Sequence, residues 1–246
     1  MKRKRQSLPK TAIPDITQYY ARLFRKFGDD PKSDGYSHEL ARKARFEMYM
    51  RHFDFNQKSI LDVGCGTGMF IEHLVLRGIR PKRWIGTDIL PGKVAAAKRR
   101  LKKNGFIDWC KELEIELKFV TGTVDDVLDL VHIAIACSIF DVKQRDVSTT
   151  FKLACKTLAS MWGRVTEGVG ADFFSPYALD IQPFNAPIPP EWLLTWAMHN
   201  LSQRVLVDYT YLPHDYSVIA MKEDNEFVRE WKKAGGWKRE TGGEHD

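Results

Sequence analysis

The sequence lacks any hydrophobic run that could cross a membrane. None of its apolar stretches approaches the ~20 residues that a transmembrane helix needs. The N-terminus, MKRKRQSLPK, has the charge of a signal peptide, but no apolar segment follows it. We therefore expect a cytoplasmic protein of 246 residues that makes no contact with a membrane.

Cysteine is scarce, and its positions fit neither a disulfide framework nor a zinc site. The four cysteines form no CxxC pair, and no Cys/His cluster has zinc-like spacing. Reduced thiols in a cytosolic protein are the simplest interpretation of Cys65, Cys110, Cys137 and Cys155. We predict no metal site.

Acidic residues are missing from the first ten positions and almost missing from residues 77–103. The first ten positions hold five basic residues, and without them the formal charge falls from +6 to +1. We interpret residues 1–14 as a flexible, solvated tail; a phosphate-binding arm or a targeting signal is the alternative. Residues 77–103 contain ten basic residues and one acid, Asp88. A solvated helix face is favoured there over an RNA- or DNA-binding face.

Strand and helix patterns alternate from residue 59 onward. Strands are predicted at 59–63, 84–89, 117–122 and 131–138 and within 163–173, and helices at 69–78, 92–103 and 147–162. After a further helix that begins near Pro190, two apolar segments joined at Pro213–Asp215 predict an antiparallel hairpin. This order predicts an α/β fold with a mostly parallel sheet and helices on both faces.

The two ends of the chain differ from this central region. Helical patterns at 15–27 and 37–53 precede the first strand, with a Gly- and Asp-rich loop between them. We expect residues 15–54 to form a helical lid on a single domain that spans 15–222. Residues 223–246 are charged and contain glycine, which predicts a C-terminal tail.

A glycine-rich turn follows the first predicted strand. Its sequence is LDVGCGTG, from Leu61 to Gly68. Gly64 and Gly66 allow a sharp turn and a close approach by a ligand, and Gly68 allows tight packing of the next helix. Asp88 ends the second strand, where a carboxylate can accept hydrogen bonds from both hydroxyls of an adenosine ribose. These features suit NAD and S-adenosylmethionine alike.

The segments LDVGCGTG and GTDI resemble the first two motifs of the class I S-adenosylmethionine-dependent methyltransferases. The resemblance implies methyl transfer from S-adenosylmethionine on a Rossmann-like fold, with a seven-stranded sheet whose last strand is antiparallel. It implies that the loop surrounds the methionine part of the cofactor, with Asp62 near the amino group and Asp88 on the ribose. The cofactor-binding residues it implies are Asp62, Gly64, Cys65, Gly66, Thr67, Gly68, Asp88, Ile89, Thr123, Val124 and Ser138. Thr123 stands where the family usually has an acid at adenine N6, and Val124 or Asp125 is the alternative contact.

Further segments resemble a subgroup of uncharacterised bacterial methyltransferases. They are Tyr20 with Gly28–Asp30, Arg45–Phe46, Ser138–Lys143 and Tyr211–Tyr216, within a match over about residues 16–221. The subgroup typically has Asn where Asp141 stands. This likeness names no methyl acceptor.

The acceptor end of the site is predicted from residues near the strand ends. Asp141 and His214 are the candidate catalytic residues, and Tyr20, Tyr36 and Phe140 the candidate substrate residues. The alternatives are a helix cap for Asp141, a turn residue for His214, and ordinary packing for Tyr20. A small-molecule acceptor is favoured. An RNA or other nucleic acid, bound through residues 77–103 and the N-terminal tail, is the second hypothesis, and a non-catalytic cofactor-binding subunit is the third; the oligomeric state is left open.

We predict that S-adenosylhomocysteine stabilises the protein and that NAD and NADP do not. The turn resembles the methyltransferase type, and no acid-to-arginine arrangement for a 2′-phosphate is present in the sequence. A thermal-shift titration with the three compounds measures this. Stabilisation by a nicotinamide cofactor alone would favour a dehydrogenase.

Overall fold

A computed structural model describes residues 16–28, 31–35, 38–222 and 226–235 of the chain. The tail predicted for residues 1–14 and the substrate residue predicted at Tyr36 lie outside these ranges, as does much of the tail predicted for 223–246.

Eight α-helices and seven strands make up the described part of the chain. The helices are α1 (Ile16–Phe27), α2 (Glu39–His52), α3 (Met69–Leu76), α4 (Pro91–Lys103), α5 (Phe106–Glu112), α6 (Val147–Trp162), α7 (Pro190–Asn200) and α8 (Glu226–Lys233). The strands are β1 (Ser59–Val63), β2 (Arg83–Asp88), β3 (Glu116–Thr121), β4 (Val131–Ala136), β5 (Val165–Phe174), β6 (Val205–Asp208) and β7 (Asp215–Met221). Short 3₁₀ turns cover Pro31–Asp34 and Val124–Asp126.

All seven strands form one sheet, in the order β3-β2-β1-β4-β5-β7-β6. The strands β1 to β5 pair in parallel, whereas β7 runs antiparallel to both of its neighbours. The predicted Rossmann-like sheet with an antiparallel last strand is therefore confirmed. The predicted hairpin is present too, and its second strand lies between β5 and β6.

The strand order reverses between β1 and β4, and this reversal positions the site. From β1 the chain proceeds outward through β2 and β3, and it then returns to add β4 and β5 on the other side. The loops after β1 and β4 therefore leave the sheet in opposite directions and open a crevice at the carboxyl ends of these strands. Ligands of open α/β sheets bind in such crevices.

Hydrophobic side chains cover both faces of the sheet, as two-sided burial of parallel strands requires. On β1, Leu61 and Val63 join a core that includes Leu158 of α6 and Leu193 of α7. Ile60 joins the opposite core, which α2, α3 and α4 cover. Helices on both faces are confirmed. In the described ranges, no helix combines the length and the hydropathy that a membrane span requires.

Most predicted elements are present, with shifted ends and one addition. Helix α5 was not predicted, and Gly105, with φ +69°, separates it from α4. Helix α2 begins at Glu39 and is capped by His38, whose ring Nδ1 accepts the Leu40 N–H at 3.0 Å.

Candidate functional site

The loop after β1 is folded so that glycine is favoured at two of its positions. The φ angles of Gly64 and Gly66 are +75° and +54°. A Cβ on Gly64 would lie 2.2 Å from the Ile139 side chain, and one on Gly66 would lie 3.2 Å from Asp34. The backbone N–H groups of Gly64 and Cys65 donate to the Thr87 carbonyl at 2.7 and 2.9 Å. The loop is thus held against the end of β2 with its backbone exposed to the crevice.

A cavity of about 330 Å³ lies over this loop, at the carboxyl ends of β1, β2 and β4. Nine of the eleven predicted cofactor residues line it: Asp62, Gly64, Cys65, Gly66, Asp88, Ile89, Thr123, Val124 and Ser138. Thr67 and Gly68 do not line it. Gly68 instead packs beside Leu101 of α4, where an added Cβ would meet Leu101 at 3.1 Å, and Thr67 is buried.

The Asp88 carboxylate lies between the glycine loop and the start of α4. One oxygen accepts the Gly66 N–H at 3.1 Å, and the other accepts the Leu90 N–H at 2.8 Å. Burial raises the pKa of Asp88, while the nearby Lys93 ammonium lowers it. Each carboxylate oxygen can accept a second hydrogen bond, so Asp88 retains acceptor capacity for two hydroxyls.

The Asp62 carboxyl is buried beneath the same loop. Its side chain is 2% exposed, and its Oδ2 has no hydrogen-bond partner among the described residues. Burial raises the pKa of Asp62 to about 7; the nearby Trp84 indole N–H opposes the rise, and the carboxylates of Asp88 and Asp34 add to it. An unpartnered buried acceptor of this kind suits a donor or a cation supplied by a ligand.

The loop after β3 forms the far end of the cavity. The Thr123 hydroxyl is already engaged, since it accepts the Asp125 N–H at 3.2 Å and donates to Asp126 at 3.1 Å. Asp125 also lines the cavity and is exposed. The side chain of Thr123 is therefore occupied by capping its own turn, and Asp125 offers a carboxylate in the lining of the cavity.

Helix α1 and the turn that follows it cover the cavity. The Tyr20 hydroxyl donates to the Ser138 carbonyl at 3.0 Å, and the Lys93 ammonium bonds to Asp34. Lys93 also lies 5.1 Å from the centre of the Tyr20 ring. Burial, with Asp141 next in importance, raises the pKa of Tyr20 well above its usual value. Tyr20 thus keeps its proton and donates to the loop after β4.

Four charged residues, which we call the carboxylate cluster, lie beyond Ser138: Arg45, Asp141, Asp172 and Asp215. Arg45 Nε donates to Asp172 at 2.9 Å, and its Nη2 bonds to Asp215 and lies 3.8 Å from Asp141. Burial raises the pKa values of Asp141 and Asp215, and Arg45 opposes the rise. No group of three or more potential ligands within the described ranges is arranged to hold a metal ion.

The two predicted catalytic residues both lie at this cluster and outside the lining of the cavity. Asp141 does not cap α6; Asp146 does, by accepting the Thr149 N–H at 2.6 Å. His214 Nε2 lies 3.7 Å from Asp215, and burial followed by the Arg45 charge lowers the pKa of His214. Phe140 lines the cavity but also stacks on Phe173 at 5.2 Å within the core.

Sequence reasoning missed several residues of this region. Arg42, Asp34 and Lys93 line the cavity, and Asp172 and Asp215 anchor the cluster. Arg45 and Asp215 lie in the segments that resemble the bacterial subgroup, and this resemblance could have marked them as site residues. No local sequence pattern marks Arg42, Asp34, Lys93 or Asp172 as a site residue.

The basic region at residues 77–103 is partly neutralised by acids from elsewhere in the chain. Four of its ten basic residues form ion pairs: Arg77 with Glu47, Arg83 with Glu116 and Asp129, Lys93 with Asp34, and Arg100 with Glu72. The excess of positive charge on this surface is therefore smaller than the sequence suggested.

Comparison with known sequences identifies the central part of the chain. Residues 60–160, which contain the glycine loop, Asp88 and the segment up to α6, match the sequence model of a family described as a methyltransferase domain. The match covers less than half of the chain, and over that part the chain is similar to a methyltransferase domain. No curated protein sequence matches the chain, and membership of the class I methyltransferases and of the bacterial subgroup stays a prediction.

Solved structures of methyltransferases share the fold of this chain at low identity. Magnesium protoporphyrin IX methyltransferase from Synechocystis PCC 6803, with bound SAH, is 11% identical, with a TM-score of 0.59 over 85% of this chain and 95% of that one. The pyocyanin biosynthetic protein PhzM is 14% identical, with a TM-score of 0.58 over 83% and 62%. The small RNA methyltransferase HEN1 is 16% identical, with a TM-score of 0.58 over 75% and 25%. These similarities show the fold and leave the acceptor open.

We predict that Asp62→Asn changes how the stability of the ligand-free protein depends on pH. The raised pKa means that folding favours protonated Asp62, and this contribution is lost as the pH rises from about 4 through about 7. The free energy of unfolding of the variant, relative to that of the wild type, should therefore be about 2–3 kcal/mol higher at pH 8 than at pH 5. Denaturant unfolding at both pH values measures the difference. Asp54→Asn, at an exposed position, is the matched control, and a pH-independent difference for Asp62→Asn would contradict the prediction.

Proposed function

We propose that the protein is a class I S-adenosylmethionine-dependent methyltransferase, with S-adenosylmethionine as its cofactor, and that it moves a methyl group to a small-molecule acceptor held beneath α1. The observation that carries the proposal is the Tyr20 hydrogen bond to the Ser138 carbonyl, which joins α1 to the loop after β4 across the cavity. The second contact, between Asp34 and Lys93, joins the turn after α1 to α4. A site covered in this way suits a small acceptor better than a duplex, which needs an open basic groove.

The residues of the cavity fit the cofactor at each of its parts. Gly64 and Gly66 let Ile139 and Asp34 pack directly on the loop, and both glycines line the cavity where the methionine part is proposed to lie. Asp62, with its unpartnered oxygen, suits the amino group, and Asp88 has acceptor capacity for the ribose hydroxyls. Asp125 replaces Thr123 as the proposed partner of the adenine amino group, because the Thr123 hydroxyl is engaged in its turn.

S-adenosylmethionine supplies a methyl group bonded to a positively charged sulfur, so it needs no further activation. The task of the protein is to hold the acceptor in line with the methyl carbon. Where the acceptor atom carries a proton, we propose that Asp141 receives it, because Asp141 adjoins Phe140 and its carboxylate is near Arg45. His214 faces Asp215 and not the cavity, so we propose a positioning role for it.

We also propose that residues 15–54 act as a lid on the domain and that the protein works in the cytoplasm. The contacts of Tyr20 and Asp34 support the first point. The second is supported by the four cysteines, which all lie in the described ranges as thiols.

An RNA acceptor is the second candidate, and the basic residues of α4 support it. Lys98, Arg99, Lys102 and Lys103 are exposed on that helix. The acceptor end itself speaks against a polyanion, because three carboxyl groups accompany the single guanidinium of Arg45 there. We therefore rank the small molecule first and RNA second.

We predict that the purified chain labels a small-molecule fraction when it is given isotopically labelled S-adenosylmethionine and a cell extract. Deleting residues 1–10 removes five positive charges and should leave this activity unchanged, because the proposed lid is retained. Labelling of the RNA fraction would support the nucleic-acid hypothesis instead, provided that the deletion abolishes it and that it decreases steeply as the salt concentration rises. No transfer to any fraction by the purified chain would favour a non-catalytic subunit.

We predict that Asp141→Asn lowers kcat by about 100-fold or more if the acceptor must lose a proton, since general-base catalysis contributes about 10²–10⁴-fold. The affinity for S-adenosylhomocysteine should stay at the wild-type value, because Asp141 does not line the cavity. Asp180→Asn, on an exposed loop, is the control. Wild-type turnover in Asp141→Asn would remove Asp141 from the mechanism.

A further inference from the structure

The carboxylate cluster contains more acidic groups than its one guanidinium can balance. Arg45 Nε donates to Asp172 at 2.9 Å, and its Nη2 serves both Asp215 and Asp141. His214 lies 3.7 Å from Asp215 but does not supply the missing charge, because burial followed by the Arg45 charge lowers its pKa. Three carboxylates beside one guanidinium leave an excess of two negative charges. A buried excess of this kind favours a cationic ligand.

Three buried oxygens of this region also have no hydrogen bond. They are Asp141 Oδ1, Asp215 Oδ1 and the hydroxyl of Tyr211, none of which has a partner among the residues that the structure describes. Asp215 is 0% exposed. Burial, and then the charges of Asp172 and Asp215, raise the pKa of Tyr211, so its hydroxyl lies close to the cluster. A buried acceptor without a donor is costly, and a ligand with several N–H groups would satisfy all three oxygens.

Aromatic rings adjoin the partly exposed member of the cluster. The Asp141 side chain is 19% exposed, and its main-chain carbonyl accepts the Ala186 N–H at 2.8 Å. The Tyr19 ring of α1 lies 6.0 Å from the ring of Phe184, in the same loop as Ala186. Burial and then the Asp141 charge raise the pKa of Tyr19, which places the two side chains near each other. Aromatic faces beside a carboxylate attract cations.

The cluster adjoins the cavity, so a group bound there belongs to the acceptor. Ser138 lines the cavity, and its hydroxyl donates to a carboxyl of the cluster at 3.2 Å. Phe140, the neighbour of Asp141 in the chain, lines the cavity as well. Asp141 and Asp215 both approach Arg45 Nη2, so a group that binds Asp141 comes next to Asp215.

We propose that the methyl acceptor is a primary amine and that the carboxylate cluster binds its ammonium group. This inference rests on the proposed function and names the chemical class of the acceptor. A primary ammonium has three N–H donors and one positive charge, and Asp141, Asp215 and Tyr211 offer three oxygens without donors. A tertiary amine supplies one N–H donor, and an alcohol supplies no charge, so neither fits as well.

The first test asks whether the acceptor carries a primary amine. The small-molecule fraction of a cell extract is divided, and one half is treated with an acetylating N-hydroxysuccinimide ester and then with hydroxylamine. Amines become neutral amides, whereas acetyl esters on hydroxyl groups are removed again. The full chain with isotopically labelled S-adenosylmethionine should label the acetylated half at least about 10-fold less, since charge-assisted hydrogen bonds are lost. The product from the untreated half should bind a cation exchanger at neutral pH.

Two variants then test the cluster itself. Asp215→Asn removes one carboxylate, and Tyr211→Phe removes one hydroxyl. Each should raise the amount of the untreated fraction that gives half-maximal labelling by about 10-fold or more, as the loss of a hydrogen bond to a charged group does. The affinity for S-adenosylhomocysteine, measured by calorimetry, should stay at the wild-type value. Tyr177→Phe, at a position that is 70% exposed, is the matched control and should change neither quantity.

Thermal unfolding separates binding of the acceptor from damage to the fold. Burial raises the pKa of Asp215 against the opposing effect of Arg45, so folding favours the protonated form that asparagine resembles. The Tyr211 hydroxyl has no hydrogen bond to lose within the described ranges. Both ligand-free variants should therefore unfold at or above the wild-type temperature. Variants that unfold at lower temperature and also bind S-adenosylhomocysteine poorly would assign the cluster a structural role and overturn the inference.

The remaining outcomes are also decisive. Labelling that survives acetylation, or a labelled product that the cation exchanger does not retain, would overturn the inference and leave the proposed methyl transfer to a small molecule in place. Half-maximal labelling at the wild-type amount in both variants would overturn it too. No labelling of the untreated fraction by the wild type would instead refute the proposed function on which the inference rests.

Discussion

The Asp172 carboxylate near the end of β5 is the interaction on which the acceptor end depends. It is fully buried and accepts four hydrogen bonds, from Arg45 Nε, the Tyr49 hydroxyl, and the backbone N–H and hydroxyl of Ser138. Four is the number of lone-pair sites that a carboxylate offers. One side chain therefore fixes α2, β5 and the loop after β4 relative to one another, and Tyr20 docks on the Ser138 carbonyl of that same loop.

This anchoring also explains an unusual backbone. Ser138 adopts φ +56°, which a residue with a Cβ rarely does. Such a conformation persists only when the surroundings determine it, and the two hydrogen bonds from Ser138 to Asp172 do so. The bend directs Ile139 against Gly64 and brings Phe140 to the cavity. The shape of the glycine loop is thus linked to the acceptor side.

The cofactor end could be predicted from the sequence because its chemistry is local. The loop around Gly64 and Gly66 and the strand-terminal Asp88 are each read within a few residues, and the strand pattern gives the sheet. The carboxylate cluster could not be predicted from the sequence, because Arg45 and Asp172 are 127 residues apart in the chain and come together only when the protein folds. The roles of the two acids that precede α6 could not be assigned from the sequence either. Asp141 and Asp146 are both candidates for the helix cap by sequence, and the structure shows that Asp146 caps α6.

The position of β7 in the sheet has a consequence for synthesis of the chain. Strands β1 to β5 can pair in order as they leave the ribosome, but β6 pairs only with β7 among the strands that the structure describes. The ten-residue edge of β5 therefore stays open until residues 215–221 are made. An unpaired strand edge of that length invites association with other chains. Strand β7 is thus the one that closes the nascent sheet against aggregation.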